Sequence, residues 1–129
     1  MSRYISEKLR LLVIKRANNC CEYCGLSDQD AFYTFPIDHI ISLKHSGKTI
    51  AVNLAYSCMN CNKNKGSDIG TMLLPNRQFI RLFNPREDDW AAHFEISEGM
   101  IYAKTNIGEA TIKVLKMNEI ERIIERQNA

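Results

Sequence analysis

The stretch "CMNCNKNKG" at residues 58–66 decides how this chain folds. It opens with a C-x-x-C pair, continues with residues that suit a helix, and ends at Gly66, where such a helix would stop. A second pair, "CEYC", occupies residues 21–24, and Gly25 after it lets the backbone fold back tightly. Both stretches therefore have the shape of a metal knuckle, in which a tight turn presents two thiolates.

The two pairs together predict one closed, tetrahedral zinc site with a structural role, because four thiolates leave no open position for a substrate. Thirty-three residues lie between the pairs. The expected ligands are Cys21, Cys24, Cys58 and Cys61. Cys20 could replace Cys21, but C-x-x-C spacing favours Cys21. Buried free cysteines and a redox pair are the alternatives, and the redox reading is weaker because neither pair sits in a βαβ context.

The segments around the knuckles predict a strand–loop–strand–helix unit. "SEKLRLLVIKRANN" (6–19) has the spacing of an amphipathic helix, and "AFYTFPIDHII" (31–41) is typical of a strand. A polar loop turned by Gly47 leads to a second short strand, "LAYSC" (54–58), and then to the helix that begins in the second knuckle. The expected fold class is therefore α+β.

The second half of the chain has a different character. "TMLLPNRQFIRLFNPR" (71–86) is interpreted as a short helix and a turn, and "WAAHFEISEGMIYAK" (90–104) as a β-hairpin that turns at 97–99. Asn118, with Glu121 three residues later, predicts the N-cap of a last helix, whose isoleucine stripe would close the core. No linker splits the chain, so we expect a single domain over residues 1–129, with 71–129 as an extension.

Composition and charge are typical of a globular domain with a basic front part. The chain has 129 residues, 45% of them apolar and 25% charged, which is ordinary for one globular domain. Charged residues interrupt the N-terminus, no apolar run reaches about 18 residues, and the expected location is the reducing cytoplasm. Residues 1–86 carry a balance of +6 and residues 87–129 one of −4, so the front of the chain is the part expected to meet phosphates.

Asp38 and His39 stand in the middle of the first predicted strand, where a purely buried strand would hold apolar residues. Neighbours on a strand point to opposite faces, so the two residues can have different roles. A carboxylate and a side-chain amide can hold a hard cation such as magnesium beside a phosphate. A histidine can take a proton from water at neutral pH. These parts suit metal-assisted phosphodiester hydrolysis, although a lone histidine is more often structural.

The order C-x-x-C, D-H-I, N-L and C-x-x-C-N-x-x-K-G, at about residues 21–66, resembles the HNH endonuclease family in its four-cysteine branch. "LFNPREDDWAAHFE" and "IGEATIKVLKMN" resemble the tail of small bacterial members. The resemblance implies a ββα-metal finger (His-Me finger) core between two zinc knuckles, preceded by an N-terminal helix. A C-terminal β-hairpin and helix would follow this core.

The same resemblance assigns roles to four residues. His39 would be the general base, and Asp38 would be the acidic ligand of a catalytic magnesium or manganese ion. Asn53 would pin the loop between the strands and help to orient the base. Asn62 stands where many members carry a histidine, which makes the motif H-N-N. Its carbonyl oxygen could still bind magnesium, so we expect activity to survive this departure.

DNA is the expected partner, with four candidate contacts in the loop after the first strand and on the helix: Lys44, His45, Lys63 and Lys65. A solvated helix face is an equal reading for the two helical lysines. The absence of a recognisable sequence-reading module leaves room for a protein partner that supplies targeting. Two other functions remain open, namely a zinc-stabilised DNA-binding module that does not cleave and an iron–thiolate protein of rubredoxin type.

Overall fold

The computed structural model describes residues 4–31 and 33–129. The chain divides into two compact units, Met1–Ser67 and Asp68–Ala129. Helices and small antiparallel sheets alternate within them, so the fold class is α+β, as predicted. No helix in the described ranges is both long and apolar enough to cross a membrane. The expectation of a single domain stays a prediction.

The first unit contains the strand–loop–strand–helix order that the sequence predicts. Its elements are α1 (Glu7–Arg16), β1 (Ile37–His39), β2 (Leu54–Tyr56) and α2 (Met59–Lys65). Three short 3₁₀ turns lie between them, at Asp28–Asp30, Leu43–His45 and Ala51–Asn53. Strands β1 and β2 pair antiparallel, with Asp38 opposite Ala55 and His39 opposite Leu54. This register places the D-H pair beside the buried second strand.

Strand β1 is much shorter than the predicted strand over residues 31–41. Only Ile37–His39 pair with β2, and Pro36, which has no backbone N–H, stands directly before them. Phe32 of the predicted stretch lies outside the described residues. The side chains of Phe35 and Ile40 on either side are nevertheless buried, at 1% and 6% exposure. The apolar pattern therefore reports burial here rather than strand length.

The first knuckle and α1 are both tied to β2. The Glu22 N–H donates to the Tyr56 carbonyl at 2.8 Å, and the Tyr56 N–H donates to Glu22 Oε1 at 2.9 Å. From α1, the Arg16 guanidinium donates to the Leu54 carbonyl at 2.8 Å. Both sides of the short strand are therefore bonded, although it has only three residues. The buried apolar residues of this unit include Val13, Tyr23, Leu26, Phe35, Ile40, Leu54, Ala55 and Tyr56.

The second unit begins with a β-hairpin, where the sequence predicted a short helix. Strands β3 (Gly70–Leu73) and β4 (Gln78–Arg81) pair antiparallel, with Thr71 opposite Ile80. The predicted helix was wrong, because short apolar runs fit either element and Pro75 and Asn76 lie in a turn between the strands. The turn predicted at residues 84–86 is present, since the Glu87 N–H donates to the Asn84 carbonyl at 3.1 Å.

The later hairpin is confirmed in its strands and turn but not in its first residues. Strands β5 (Phe94–Ser97) and β6 (Met100–Ala103) pair antiparallel, and Gly99 has a φ of +82° in the turn. The residues before β5 form a short helix, α3 (Trp90–His93), instead of extending the strand. Trp90 and Phe94 stack at 5.0 Å between ring centroids, which packs this helix on the hairpin.

Two helices end the second unit, α4 (Asn106–Leu115) and α5 (Ile120–Gln127). The N-cap of α5 is Glu119 and not Asn118, as the sequence had suggested. Asn118 instead accepts from the Ile101 N–H at 3.0 Å and donates to its carbonyl at 2.8 Å, so a tertiary contact takes its side chain. Ile120 and Ile124 of the expected core stripe are exposed.

Candidate active site

The four predicted zinc ligands lie together in the first unit. Their sulfur atoms are all within 4.8 Å of one another, and all four residues are buried. Cys24 Sγ and Cys58 Sγ are 3.7 Å apart. A zinc–sulfur bond of about 2.3 Å in a tetrahedron separates neighbouring sulfurs by about 3.8 Å, so the cluster has the dimensions of a zinc site.

The chemistry of this cluster also fits a divalent ion. Burial raises the pKa of Cys21 and Cys61 well above the ordinary thiol value. Hydrogen bonds from the neighbouring thiols, first of all Cys21, lower the pKa of Cys24 well below it. Buried thiols that compete for protons in this way would all become thiolates around a metal ion. Cys20 is not part of the cluster.

Each knuckle uses a cysteine to shape its own turn. Cys21 Sγ accepts from the Cys24 N–H at 3.5 Å, and Cys58 Sγ accepts from the Cys61 N–H at 3.4 Å. Cys58 is also the N-cap of α2, so its thiolate would lie at the positive end of the helix. Cys58 therefore serves both as one of the predicted zinc ligands and as the residue that begins α2.

Asp38 is held in a buried network that the sequence does not reveal. Its side chain is 4% exposed, and Tyr23 donates a hydrogen bond to Oδ2 at 2.7 Å. Lys65, 2% exposed, places Nζ at 3.1 Å from Oδ2 and 3.3 Å from Oδ1. The same ammonium donates to the carbonyls of His39 at 3.2 Å and Ile40 at 3.0 Å. Lys65 therefore connects α2 to the end of β1.

This network leaves Asp38 a limited capacity to bind an ion. Burial raises the pKa of Asp38 above its ordinary value, while the Lys65 ammonium and the Tyr23 hydroxyl oppose that rise. An ionised carboxylate has about four lone-pair directions, and these contacts use two on Oδ2 and one on Oδ1. These contacts leave one lone-pair direction of the carboxylate unused, on Oδ1.

A cleft of about 390 Å³ opens beside this network. Three of the predicted catalytic residues, Asp38, His39 and Asn62, contribute to its wall, together with Lys44. The complete lining is Ile37, Asp38, His39, Ser42, Leu43, Lys44, Asn62, Gly66 and Ser67. The strand, the following loop and the helix thus converge on one space that is large enough for a phosphate group and an ion.

His39 ends β1 and is half-buried. Its Nε2 lies 2.9 Å from Thr49 Oγ1, which belongs to the loop between the strands. Nothing in the local sequence pattern marks Thr49 as a neighbour of the histidine. Only the path of the loop brings residues 39 and 49 together.

Asn53 pins that loop from its far end. Its Oδ1 accepts from the Ile41 N–H, and its Nδ2 donates to the carbonyls of Ile41 and Lys48, each at 2.9 Å. Gly47 passes so close that a Cβ there would lie 1.7 Å from the Ile41 carbonyl oxygen. A glycine is therefore required at this position, and the amide of Asn53 fastens the loop on both sides of it.

The predicted DNA contacts differ in their surroundings. Lys44 and His45 lie in the 3₁₀ turn after β1, and both are exposed, as is Lys63 on α2. Lys65 is not exposed, because its ammonium is enclosed by Asp38 and two carbonyls. This burial does not fit the DNA contact predicted for Lys65, and its neighbours indicate a role inside the unit.

A comparison with known protein families matches the part of the chain that carries this arrangement. The family model described as HNH endonuclease matches residues 21–68, which include both knuckles, β1, β2 and α2. Residues 21–68 are an HNH domain. The resemblance to the HNH endonuclease family that the motifs predicted is thereby confirmed.

The match to one curated relative extends beyond the HNH domain. The chain is 25% identical over 120 residues to the Septu protein PtuB of Bacillus thuringiensis. The match covers 90% of this chain and 43% of PtuB, so the chain spans less than half the length of that relative. No solved structure matches the chain significantly. The HNH domain indicates a nuclease or a nucleic-acid-binding role.

Proposed function

We propose that the HNH domain is a metal-dependent DNA endonuclease that hydrolyses phosphodiester bonds, by nicking or by double-strand cleavage. One observation carries this proposal: Asp38, His39 and Asn62 line a single cleft with Lys44 at its wall. A proton acceptor, two oxygen ligands and a cation are the groups that phosphodiester hydrolysis needs.

The protein residues divide the work as follows. His39 would remove a proton from the attacking water, and Asp38 and Asn62 would hold magnesium or manganese, which supplies Lewis-acid chemistry when bound. A bound ion would offset charge on the scissile phosphate and on the leaving oxygen. Asn53 keeps the loop beside His39 in one conformation through its three hydrogen bonds. Lys65 positions Asp38 rather than touching the substrate.

We also infer that zinc occupies the four-cysteine cluster and stabilises the fold without taking part in hydrolysis. The support is the number, burial and spacing of the sulfurs. Because Cys58 begins α2, an ion there would hold the helix that carries Asn62 and Lys65. The ion would thus act on the cleft through the position of α2.

DNA would approach over the exposed basic residues of the turn and of α2. Lys44, His45 and Lys63 are accessible, and residues 1–86 have a positive balance of charge. These contacts would be mainly to phosphates, so they favour loose sequence preference. A protein partner could supply targeting, and the cytoplasm is the expected location.

A test is the nicking of supercoiled plasmid in magnesium or manganese by the zinc-loaded chain. We expect His39→Ala to lose cleavage by at least about a hundredfold, as removal of a general base does. His93→Ala is the matched control, because His93 lies in the second unit at the end of α3. Equal cleavage by wild type and His39→Ala would refute the assigned base.

A zinc-stabilised DNA-binding module without hydrolytic activity is the second candidate. The buried pairing of Asp38 with Lys65 favours it, because an ammonium already balances the carboxylate that would bind the ion. The two functions differ in one result. Plasmid binding that weakens with salt, with no nicking in either ion, would support the binding module against the endonuclease.

A further inference from the structure

The hydroxyl of Ser42 is a buried polar group at the cleft. Ser42 lines the cleft together with His39, Lys44 and Asn62. Within the part of the chain that the structure describes, its Oγ is enclosed and makes no hydrogen bond. A hydroxyl that is removed from water without gaining a partner weakens a fold. The few such groups in a folded protein therefore call for a physical explanation, and a ligand is one of them.

The turn that follows Ser42 does not use this side chain. Ser42 stands directly before the 3₁₀ turn Leu43–His45, where a serine hydroxyl commonly caps the backbone, and no such hydrogen bond is formed. Its carbonyl, by contrast, accepts from the His45 and Gly47 N–H groups, both at 2.9 Å. The backbone of Ser42 is therefore held, whereas Oγ can still rotate about χ1. Such a rotation can turn the hydroxyl toward the cleft that the residue already lines, without moving the loop.

The charges around the cleft favour an anionic partner for this hydroxyl. Lys44, two residues further on, is exposed and contributes an ammonium to the same wall. The carboxylate of Asp38 is also in the wall, but the buried Lys65 ammonium lies 3.1 Å from it and balances its charge. A phosphate oxygen only accepts hydrogen bonds, so the hydroxyl would be the donor. Hydrogen bonds to a charged acceptor are stronger than those between neutral groups.

We propose that Ser42 is a phosphate-binding residue of the cleft, whose hydroxyl donates to a non-bridging oxygen of a DNA backbone phosphate. This inference deepens the proposed endonuclease function and rests on it for the identity of the ligand. The free protein carries the cost of the unpaired hydroxyl, and a phosphate that enters the cleft removes it. Ser42 therefore weakens the free fold and strengthens the complex.

The variant Ser42→Ala tests both halves of this statement. In a urea titration followed by zinc release, it should unfold at the same urea concentration as wild type or at a higher one, because a buried unpaired group is lost. Binding of a short DNA duplex is measured by fluorescence anisotropy, with zinc bound and no magnesium added. It should weaken about ten- to a hundredfold, as expected for a lost hydrogen bond to a charged group. Ser46→Ala is the matched control, since Ser46 is exposed directly after the same turn, and it should change neither result.

The salt dependence of binding separates the hydroxyl from the neighbouring cation. A neutral hydroxyl releases no counterion from DNA, so Ser42→Ala should weaken binding by the same factor at every salt concentration. Lys44→Met should instead reduce the slope of log affinity against log salt by about one. A reduced slope in Ser42→Ala would mean that the substitution displaces Lys44, and the direct contact would be refuted.

The outcomes separate this inference from the function on which it rests. Weaker DNA binding together with unchanged or higher stability would support the role of Ser42. A lower unfolding midpoint in Ser42→Ala would show that the hydroxyl already stabilises the free fold, and DNA affinity within about twofold of wild type would show that it does not meet the phosphate; either result would overturn the inference. Inorganic phosphate, titrated alone, should bind far more weakly than DNA, and dependence on Ser42 for free phosphate but not for DNA would overturn the assigned ligand. If wild type bound DNA through Ser42 and nicked no plasmid in magnesium or manganese, the endonuclease proposal alone would fail.

Discussion

Replacing Lys65 with methionine removes the charge that balances Asp38 inside the first unit. The ammonium lies 3.1 Å from Asp38 Oδ2 and donates to two backbone carbonyls at the end of β1. Methionine fills a similar volume without any of these bonds. Among the described residues, the carboxylate then keeps the Tyr23 hydroxyl as its hydrogen-bond donor. An uncompensated buried charge remains, and this is the destabilising element.

The expected loss of unfolding free energy is about 3–4 kcal/mol at neutral pH. Breaking one half of a buried ion pair costs about 3–5 kcal/mol. Protonation of Asp38 limits the loss, because neutralising a carboxyl of ordinary pKa at pH 7 costs about 4 kcal/mol. With its pKa raised by burial, the folded state keeps a proton that the unfolded chain has lost. The stability of the Lys65→Met chain then falls as the pH rises from the pKa of Asp38 in the unfolded chain to its higher pKa in the folded chain. Its loss of stability relative to wild type is therefore smaller in acid.

The assay is zinc release to a colorimetric chelator during a urea titration, because the cysteines report on the first unit. Lys63→Met is the matched control, since Lys63 is exposed on the same helix, and it should change stability by less than about 0.5 kcal/mol. Asp38→Asn with Lys65→Met removes both charges and should recover much of the loss. A Lys65→Met chain within about 1 kcal/mol of wild type at neutral pH would refute the buried-pair reasoning.

Three further predictions concern other parts of the chain. Gly47→Ala should lower the unfolding free energy of the first unit by about 1–3 kcal/mol or more, because the added Cβ would meet the Ile41 carbonyl. The same zinc-release titration measures this loss, and unchanged stability would mean that the loop adapts. Asp88→Asn should destabilise the second unit by about 1–3 kcal/mol, since Asp88 accepts two hydrogen bonds from Arg81, at 2.8 and 2.9 Å, and one from the Asn84 N–H. Hydrogen bonding with Arg81 lowers the pKa of Asp88 in the folded state. The stabilising effect of Asp88 is therefore present above its pKa in the unfolded chain, and it is lost as the pH falls through its lower pKa in the folded state. Unfolding followed by tryptophan fluorescence should show the stabilities of wild type and variant converging in acid. Strong chelators of zinc should unfold the first unit, whereas removal of magnesium should stop cleavage and leave the circular dichroism spectrum unchanged; an unaltered melt after zinc removal would contradict this.

The motifs predicted the central unit well because its signals are local. Each C-x-x-C pair sits on its own tight turn, Gly66 ends α2, and β2 follows directly from an apolar run. These features depend on neighbours within a few residues. The pattern of Asp38 and His39 also pointed to the residues that line the cleft with Asn62.

The contacts that shape the cleft could not be predicted in the same way. Lys65 meets Asp38 across 27 residues of sequence, and a lysine in a polar helix gives no sign of burial. Thr49 meets His39 only because the loop closes between them. In the second unit, tertiary contact with Ile101 took Asn118 away from the helix cap that its spacing suggested. Tertiary partners, which the sequence does not reveal, decided all three cases.

Helix α2 joins the sulfur cluster and the cleft over only seven residues. Cys61, Asn62 and Lys65 follow one another at fixed rotations of about 100° per residue. One inserted residue after Cys61 would turn Asn62 away from the cleft and Lys65 away from Asp38 at once. Changes in chain length during evolution should therefore be excluded from this helix.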